Sequence, residues 1–140
     1  MTKNNPAHLG YQTLIELYGC PSELIDDENI VKKILLNLTD VVELTVVNSL
    51  IHHFSPIGVS GVIVIEESHI AIHTWPEYNY VAIDFFTCNQ QYDLKNGIDF
   101  LRENFKAKEI EVKEVHRGSV QKINNFHWAT AKVKNKKASA

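Results

Sequence analysis

Residues 66–77 read EESHIAIHTWPE and follow directly on the apolar run GVIVI, so two carboxylates, a serine and two histidines crowd the end of one short hydrophobic segment. A serine hydroxyl is a weak nucleophile unless a neighbouring group takes its proton or the carbonyl it attacks is strained. Ser68 has Ser60, His69 and His73 close in sequence, and a tight strand turn over residues 67–69 would bring some of them within reach. The same residues also suit a turn serine beside a hydrogen-bonded rim histidine, and the pattern alone leaves both readings open. Cys20 and Cys88 lie far apart and neither forms a close Cys/His pair with zinc-ligand spacing, so no metal site is expected and each is a buried apolar residue or a reactive thiol.

These residues must be held by elements the pattern of apolar residues predicts. YQTLIELYG, residues 11–19, reads as an opening strand that ends at Gly19. DDENIVKKILLNL then places Ile30, Ile34, Leu35 and Leu38 on one helical face, with Asp26 or Asp27 able to cap it. VVELTVVNSLIHHF, residues 41–54, returns to β-branched residues before SPIGVSG interrupts it. VIVIEE, HIAIHTW and YVAIDFFTC read as successive antiparallel strands; in the second, His69, Ala71 and His73 face one way, Ile70 and Ile72 the other. A second helix is expected at about 93–105 with a stripe of Leu94, Ile98, Leu101 and Phe105 despite Gly97, and EIEVKEV as a last strand. The order predicts an α+β two-layer sandwich, an antiparallel sheet covered by helices on one face.

The chain has 140 residues, 44% hydrophobic, which fits one domain over 1–131, with the lysine-rich KVKNKKASA at 132–140 as a flexible tail. A net charge of −3 argues against nucleic-acid binding, and no apolar run approaches a membrane span, so a cytoplasmic protein without membrane or nucleic-acid partners is expected. The sequence contains no internal repeat and no GxGxxG or GxxxxGK[ST] loop. A domain this short buries a modest fraction of its surface, which favours a site shared with a second subunit.

FSPIGVSG, ESHIAIHTWPEY and AIDFFTC, in this order and spacing within residues 58–88 and just before, resemble the heart of the prokaryotic S-adenosylmethionine decarboxylase proenzymes, a pyruvoyl-dependent family of polyamine synthesis. LGYQTLIELYGC at 9–20 and HRG at 116–118 extend the likeness more weakly. The resemblance implies that Ser68 attacks the carbonyl carbon of Glu67, that the ester eliminates to dehydroalanine, and that hydrolysis leaves a pyruvoyl cofactor at the new N-terminus of residues 68–140. It assigns His73 and Ser60 to support of this cleavage between 67 and 68, and Cys88 to proton donation in decarboxylation. A carbonyl of this kind condenses with a substrate amine and draws off the electrons that decarboxylation leaves on Cα.

The same resemblance places Glu77 in the binding site, where a carboxylate suits ribose hydroxyls or a sulfonium cation, and makes Phe54 and Trp75 candidate walls for the adenine ring or the cationic sulfur. His116 and Arg117 are weaker candidates, and Cys20 reads as structural. The chain departs from the family pattern at His53, often basic, and at Asn79 and Asn89, where glycine is usual. Asparagine tolerates glycine-like backbone angles, whereas His53 bears on substrate contacts. The implied substrate is S-adenosylmethionine and the implied assembly at least a homodimer of processed protomers, in which two sandwiches meet as an αββα unit. Alternatives are a pyruvoyl-dependent arginine or ornithine decarboxylase on the same fold, or an unprocessed non-catalytic homologue.

Overall fold

The computed structural model describes residues 6–88 and 92–126; the tail at 132–140 and Asn89 lie outside the described residues. Strand β1, His8–Tyr18, is followed by a short helix α1, Ser22–Ile25, and by α2, Glu28–Val41. Strands β2, Val46–His53, β3, Val59–Ile65, β4, Ser68–Trp75, and β5, Tyr80–Thr87, succeed one another, with a 3₁₀ turn at Pro76–Tyr78. Helix α3, Leu94–Asn104, strand β6, Glu109–Ser119, and helix α4, Val120–Asn124, complete the order. The sheet runs β2-β3-β4-β5-β1-β6 and every neighbouring pair is antiparallel.

Alternation along the strands separates two faces. Ile15 and Leu17, Val59, Ile63 and Ile65, Ile70 and Ile72, and Val81, Ile83 and Phe85 are buried in the core with the residues of α2 and α3. Helix α2 begins where Asp27 caps it, its carboxylate accepting the Asn29 and Ile30 amides. It buries Val31, Ile34, Leu35 and Leu38, while Ile30, expected on the apolar face, lies a turn edge away and is exposed. Residues 41–45 contribute no strand: the helix runs on to Val41 and β2 starts only at Val46. In α3 the helix-weakening Gly97 has a packing reason, since a Cβ there would stand 2.8 Å from Val42 Cγ1. The α+β layering expected from the sequence is thus present, with α1 and α4 added.

Among the described residues no helix covers the other sheet face. Ser60, Val62 and Val64 of β3, His69, Ala71, His73 and Trp75 of β4, and Leu50 and His52 of β2 alternate with the core residues. Leu50 is 69% exposed and Val64 41%, which leaves an apolar strip open beside the polar side chains. Among the described residues no helix is long and apolar enough to cross a membrane.

Candidate active site

The β3–β4 hairpin turns through only two residues, Glu66 and Glu67, because Ile65 and Ser68 already face each other in the ladder. Two-residue hairpins favour turns with positive φ at the loop residues, which glycine and asparagine supply and glutamate does not. Here positive φ falls on neither glutamate but on Ser68, at φ +154°, a region open almost only to glycine. Pairing with Ile65 on one side and Thr87 on the other holds the serine there. Such a backbone costs roughly 1–3 kcal/mol, stored beside the Glu67–Ser68 bond.

The carbonyl of that bond is also engaged. Glu67 O accepts the backbone N–H of Cys88 at 3.1 Å, just beyond the end of β5. A donor aimed at a carbonyl oxygen stabilises the negative charge that nucleophilic attack develops there. The Glu67 side chain reaches the Thr45 amide at 3.4 Å through Oε1, while Oε2 is buried with no hydrogen-bond partner among the described residues. Ser68 and Glu67 are half-buried, and Cys88 is exposed. Neither the Cys88 amide nor the strain at Ser68 figures among the expected features; the sequence signal for the strain is a two-residue turn made of two glutamates.

Ser60 and His73 face each other across β3 and β4, with Ser60 Oγ 2.8 Å from His73 Nδ1. They line a shallow cavity of about 310 Å³ on the open sheet face with Leu50, His52, Val62 and Ala71. His73 lies five positions along β4 from Ser68, roughly 16 Å at about 3.3 Å per residue. The structure therefore brings Ser68 together with Cys88, and Ser60 with His73, but not one pair with the other within a chain. His69, also near Ser68 in sequence, stacks on Phe86 with ring centroids 5.7 Å apart.

Trp75 and Phe54 are exposed by 39% and 47%, and Glu77 stands exposed on the 3₁₀ turn. These three share the His73 end of the sheet. Trp75 stacks on Tyr80, which stacks on Tyr18 and donates its hydroxyl to Glu16. Burial and the Glu16 carboxylate push the Tyr80 hydroxyl well above the usual tyrosine range. Asn79 takes the left-handed conformation, φ +54°, and its side-chain amide donates to the Cys20 carbonyl, so the turn accommodates an asparagine at this position. His116 packs against His8 and Tyr11, and Arg117 donates to Gln12 Oε1, both in β6 and away from Ser60 and His73. The His53 ring is engaged by Asp26 rather than turned toward open space.

A family model described as S-adenosylmethionine decarboxylase matches residues 11–118. The chain belongs to the S-adenosylmethionine decarboxylase family. It is 41% identical over 118 residues to an S-adenosylmethionine decarboxylase proenzyme of Pyrococcus furiosus, covering 84% of this chain and 85% of that one. A proenzyme of the same description from Acetivibrio thermocellus is 44% identical over 110 residues, 79% of this chain and 89% of the relative. The crystal structure of the adenosylmethionine decarboxylase of Aquifex aeolicus superposes with a TM-score of 0.74 at 30% identity, over 82% of this chain and 95% of that one. The likeness first carried by residues 58–88 thus extends over the sheet and helices that hold them, and the resemblance to this pyruvoyl-dependent family is borne out.

The two cysteines of this family member differ in chemistry. Cys20 is fully buried and burial pushes its thiol up to about 11, whereas Cys88 is exposed. Brief treatment of the native protein with iodoacetamide, followed by peptide mass mapping, is expected to modify Cys88 and spare Cys20. Equal labelling of both would show that Cys20 is not held in the core.

Proposed function

We propose that this chain is a self-cleaving, pyruvoyl-dependent carboxy-lyase that converts S-adenosylmethionine to S-adenosylmethioninamine and carbon dioxide for polyamine synthesis. The observation that carries this reading is the state of the Glu67–Ser68 bond: a serine at φ +154° follows a carbonyl that already accepts the Cys88 amide. Ser68 Oγ attacks the Glu67 carbonyl carbon, the peptide C–N bond breaks, and an ester with a free Ser68 amine results. A base then removes the Ser68 Cα proton, the Cβ–O bond breaks, and Glu67 leaves as a carboxylate. The remaining dehydroalanine takes up water and loses ammonia, which leaves the pyruvoyl group on residues 68–140. Cleavage relieves the backbone strain and frees Glu67 to reorient its unpartnered oxygen.

The pyruvoyl carbonyl, once formed, supplies the electron sink that the amino-acid substrate lacks. The chain's own residues do the rest. Cys88 lies next to the Ser68 end and is the acid placed to return one proton to substrate Cα. Phe54 and Trp75 wall the adenosine, and Glu77 receives ribose hydroxyls or the sulfonium charge. Arginine and ornithine decarboxylases, the alternatives of the same chemistry, are not favoured by the family match.

Ser60 and His73 serve Ser68 only if they come from another copy, given their separation of roughly 16 Å along the strand. The open apolar face is the surface for that copy. Two sheets packed face to face and reversed end to end bring the His73 end of the partner's β4 to the Ser68 end of this one and form the αββα dimer, in which each site draws on both protomers. A tautomer donating Nδ1–H to Ser60 leaves His73 Nε2 unprotonated and able to take the Cα proton. Co-expression tests the arrangement: Ser68→Ala and His73→Ala chains, each silent alone, are expected to form mixed dimers with one working site. Silent mixed dimers would place both residues in one protomer's site.

Denaturing mass spectrometry tests the function itself. Fragments of residues 1–67 and 68–140, with carbon dioxide released from S-adenosylmethionine but not from arginine or ornithine, are expected. One intact mass near 16.0 kDa after long incubation would favour the unprocessed homologue.

A further inference from the structure

Phe54 stands at the start of the 54–58 loop that joins β2 to β3. Within the loop the Phe54 N–H donates to the Gly58 carbonyl at 2.8 Å. From outside, one carboxylate oxygen holds both flanks: Asp26 Oδ1 accepts the Gly58 N–H at 2.8 Å and lies 2.8 Å from His53 Nε2. Gly58 sits at φ +108°, so the conformation that presents its amide to Asp26 is one that a side chain would disfavour. Hydrogen bonds to an ionised acceptor are roughly twice as strong as neutral ones. The Gly58 amide first, and then the His53 ring, holds the Asp26 carboxyl below its ordinary value, against the opposing effect of burial. Asp26 is therefore a carboxylate across the neutral range.

Asp26 also closes helix α1, and α1 packs against both the 3₁₀ turn that carries Glu77 and strand β4. The side-chain cap of helix α2 at this corner belongs to its neighbour Asp27. A single side chain thus links the loop of Phe54 to the short helix that braces the turn of Glu77. We propose that Asp26, acting through the Gly58 amide and His53, is a positioning residue that sets Phe54 against the bound substrate. It governs substrate affinity and takes no part in self-cleavage or proton return. The inference rests on Phe54 being a substrate wall, as proposed above. A wall contact serves the bound substrate and the transition state alike, so its loss raises KM and leaves kcat nearly unchanged.

Asp26→Ala, Asp26→Asn and the unmutated protein are to be compared for extent of cleavage by mass spectrometry, melting temperature, and kcat and KM for S-adenosylmethionine. Asp26→Ala is expected to cleave fully and keep kcat within about two-fold while KM rises roughly ten-fold. Asp26→Asn, which keeps an oxygen for the Gly58 amide, is expected to recover most of that loss. A role in stability alone would lower the melting temperature and the cleaved fraction, reduce kcat in proportion and leave KM fixed, and that result overturns the inference. Where Asp26→Ala is insoluble, His53→Ala, which spares the Gly58 contact, carries the same test with a few-fold rise in KM expected; an unchanged KM overturns it. Unchanged KM in variants of a cleaved, active protein leaves the decarboxylase reading standing. Absence of both cleavage and turnover in the unmutated protein removes that reading and this inference with it.

Discussion

Ser68→Ala is expected to yield a single uncleaved chain of 140 residues with no pyruvoyl group and no decarboxylase activity. The alanine keeps the backbone amide and the ladder pairing with Ile65 and Thr87, so the fold has no reason to fail. What it removes is the one oxygen that can form the ester with the Glu67 carbonyl. The strain at φ +154° and the Cys88 amide on the carbonyl oxygen remain, which makes the variant a separation of activation from nucleophile. Intact mass after denaturation and carbon dioxide release from S-adenosylmethionine read the two consequences independently. Cleavage between 67 and 68 in this variant would show that strain and carbonyl polarisation suffice for another nucleophile, and the serine ester route would be abandoned. A melting temperature close to that of uncleaved native protein would accompany the expected result, because alanine adds no new contact and removes no buried one.

The residues proposed for the chemistry stand out in the sequence because their types are rare and their spacing is dense within 58–88, whereas their spatial grouping was not legible there. Proximity in sequence suggested that Ser68 could meet His73, yet strand geometry sets five residues at roughly 16 Å. What the ladder register brings together is Ser60 with His73, from different strands, and Ser68 with the end of β5. Helix α2 was readable from its apolar period and its Asp27 cap, but its C-terminal limit was not, since VVELTVV is rich in β-branched residues while its first residue, Val41, still belongs to the helix and only Val46 and Val47 open β2. The strain on Ser68 depends on loop length, and loop length depends on where β3 stops, a boundary periodicity leaves loose. His53 shows the limit from the other side: its partner Asp26 comes from a helix corner far back in the chain, a pairing no local pattern encodes.

Cys88→Ala is expected to separate cofactor formation from catalysis. The hydrogen bond that polarises the Glu67 carbonyl comes from the backbone N–H of residue 88, which alanine retains, so self-cleavage is expected to proceed. The thiol is lost, and with it the proton donor proposed beside the Ser68 end of the sheet. General acid assistance is commonly worth roughly 10² to 10⁴ in rate, so kcat for S-adenosylmethionine is expected to fall by about that factor while KM changes little. Because proton return then falls to water, some turnovers are expected to protonate the wrong carbon, and activity is expected to decay progressively as the enzyme works. Two measurements on one preparation decide the matter: fragment masses report the backbone amide, and initial rate with its decay reports the side chain. A cleaved Cys88→Ala protein with near-native kcat would take the thiol out of the proton step and leave that step to a histidine or a water, while an uncleaved one would show that the thiol, and not only the amide, is needed to break the Glu67–Ser68 bond.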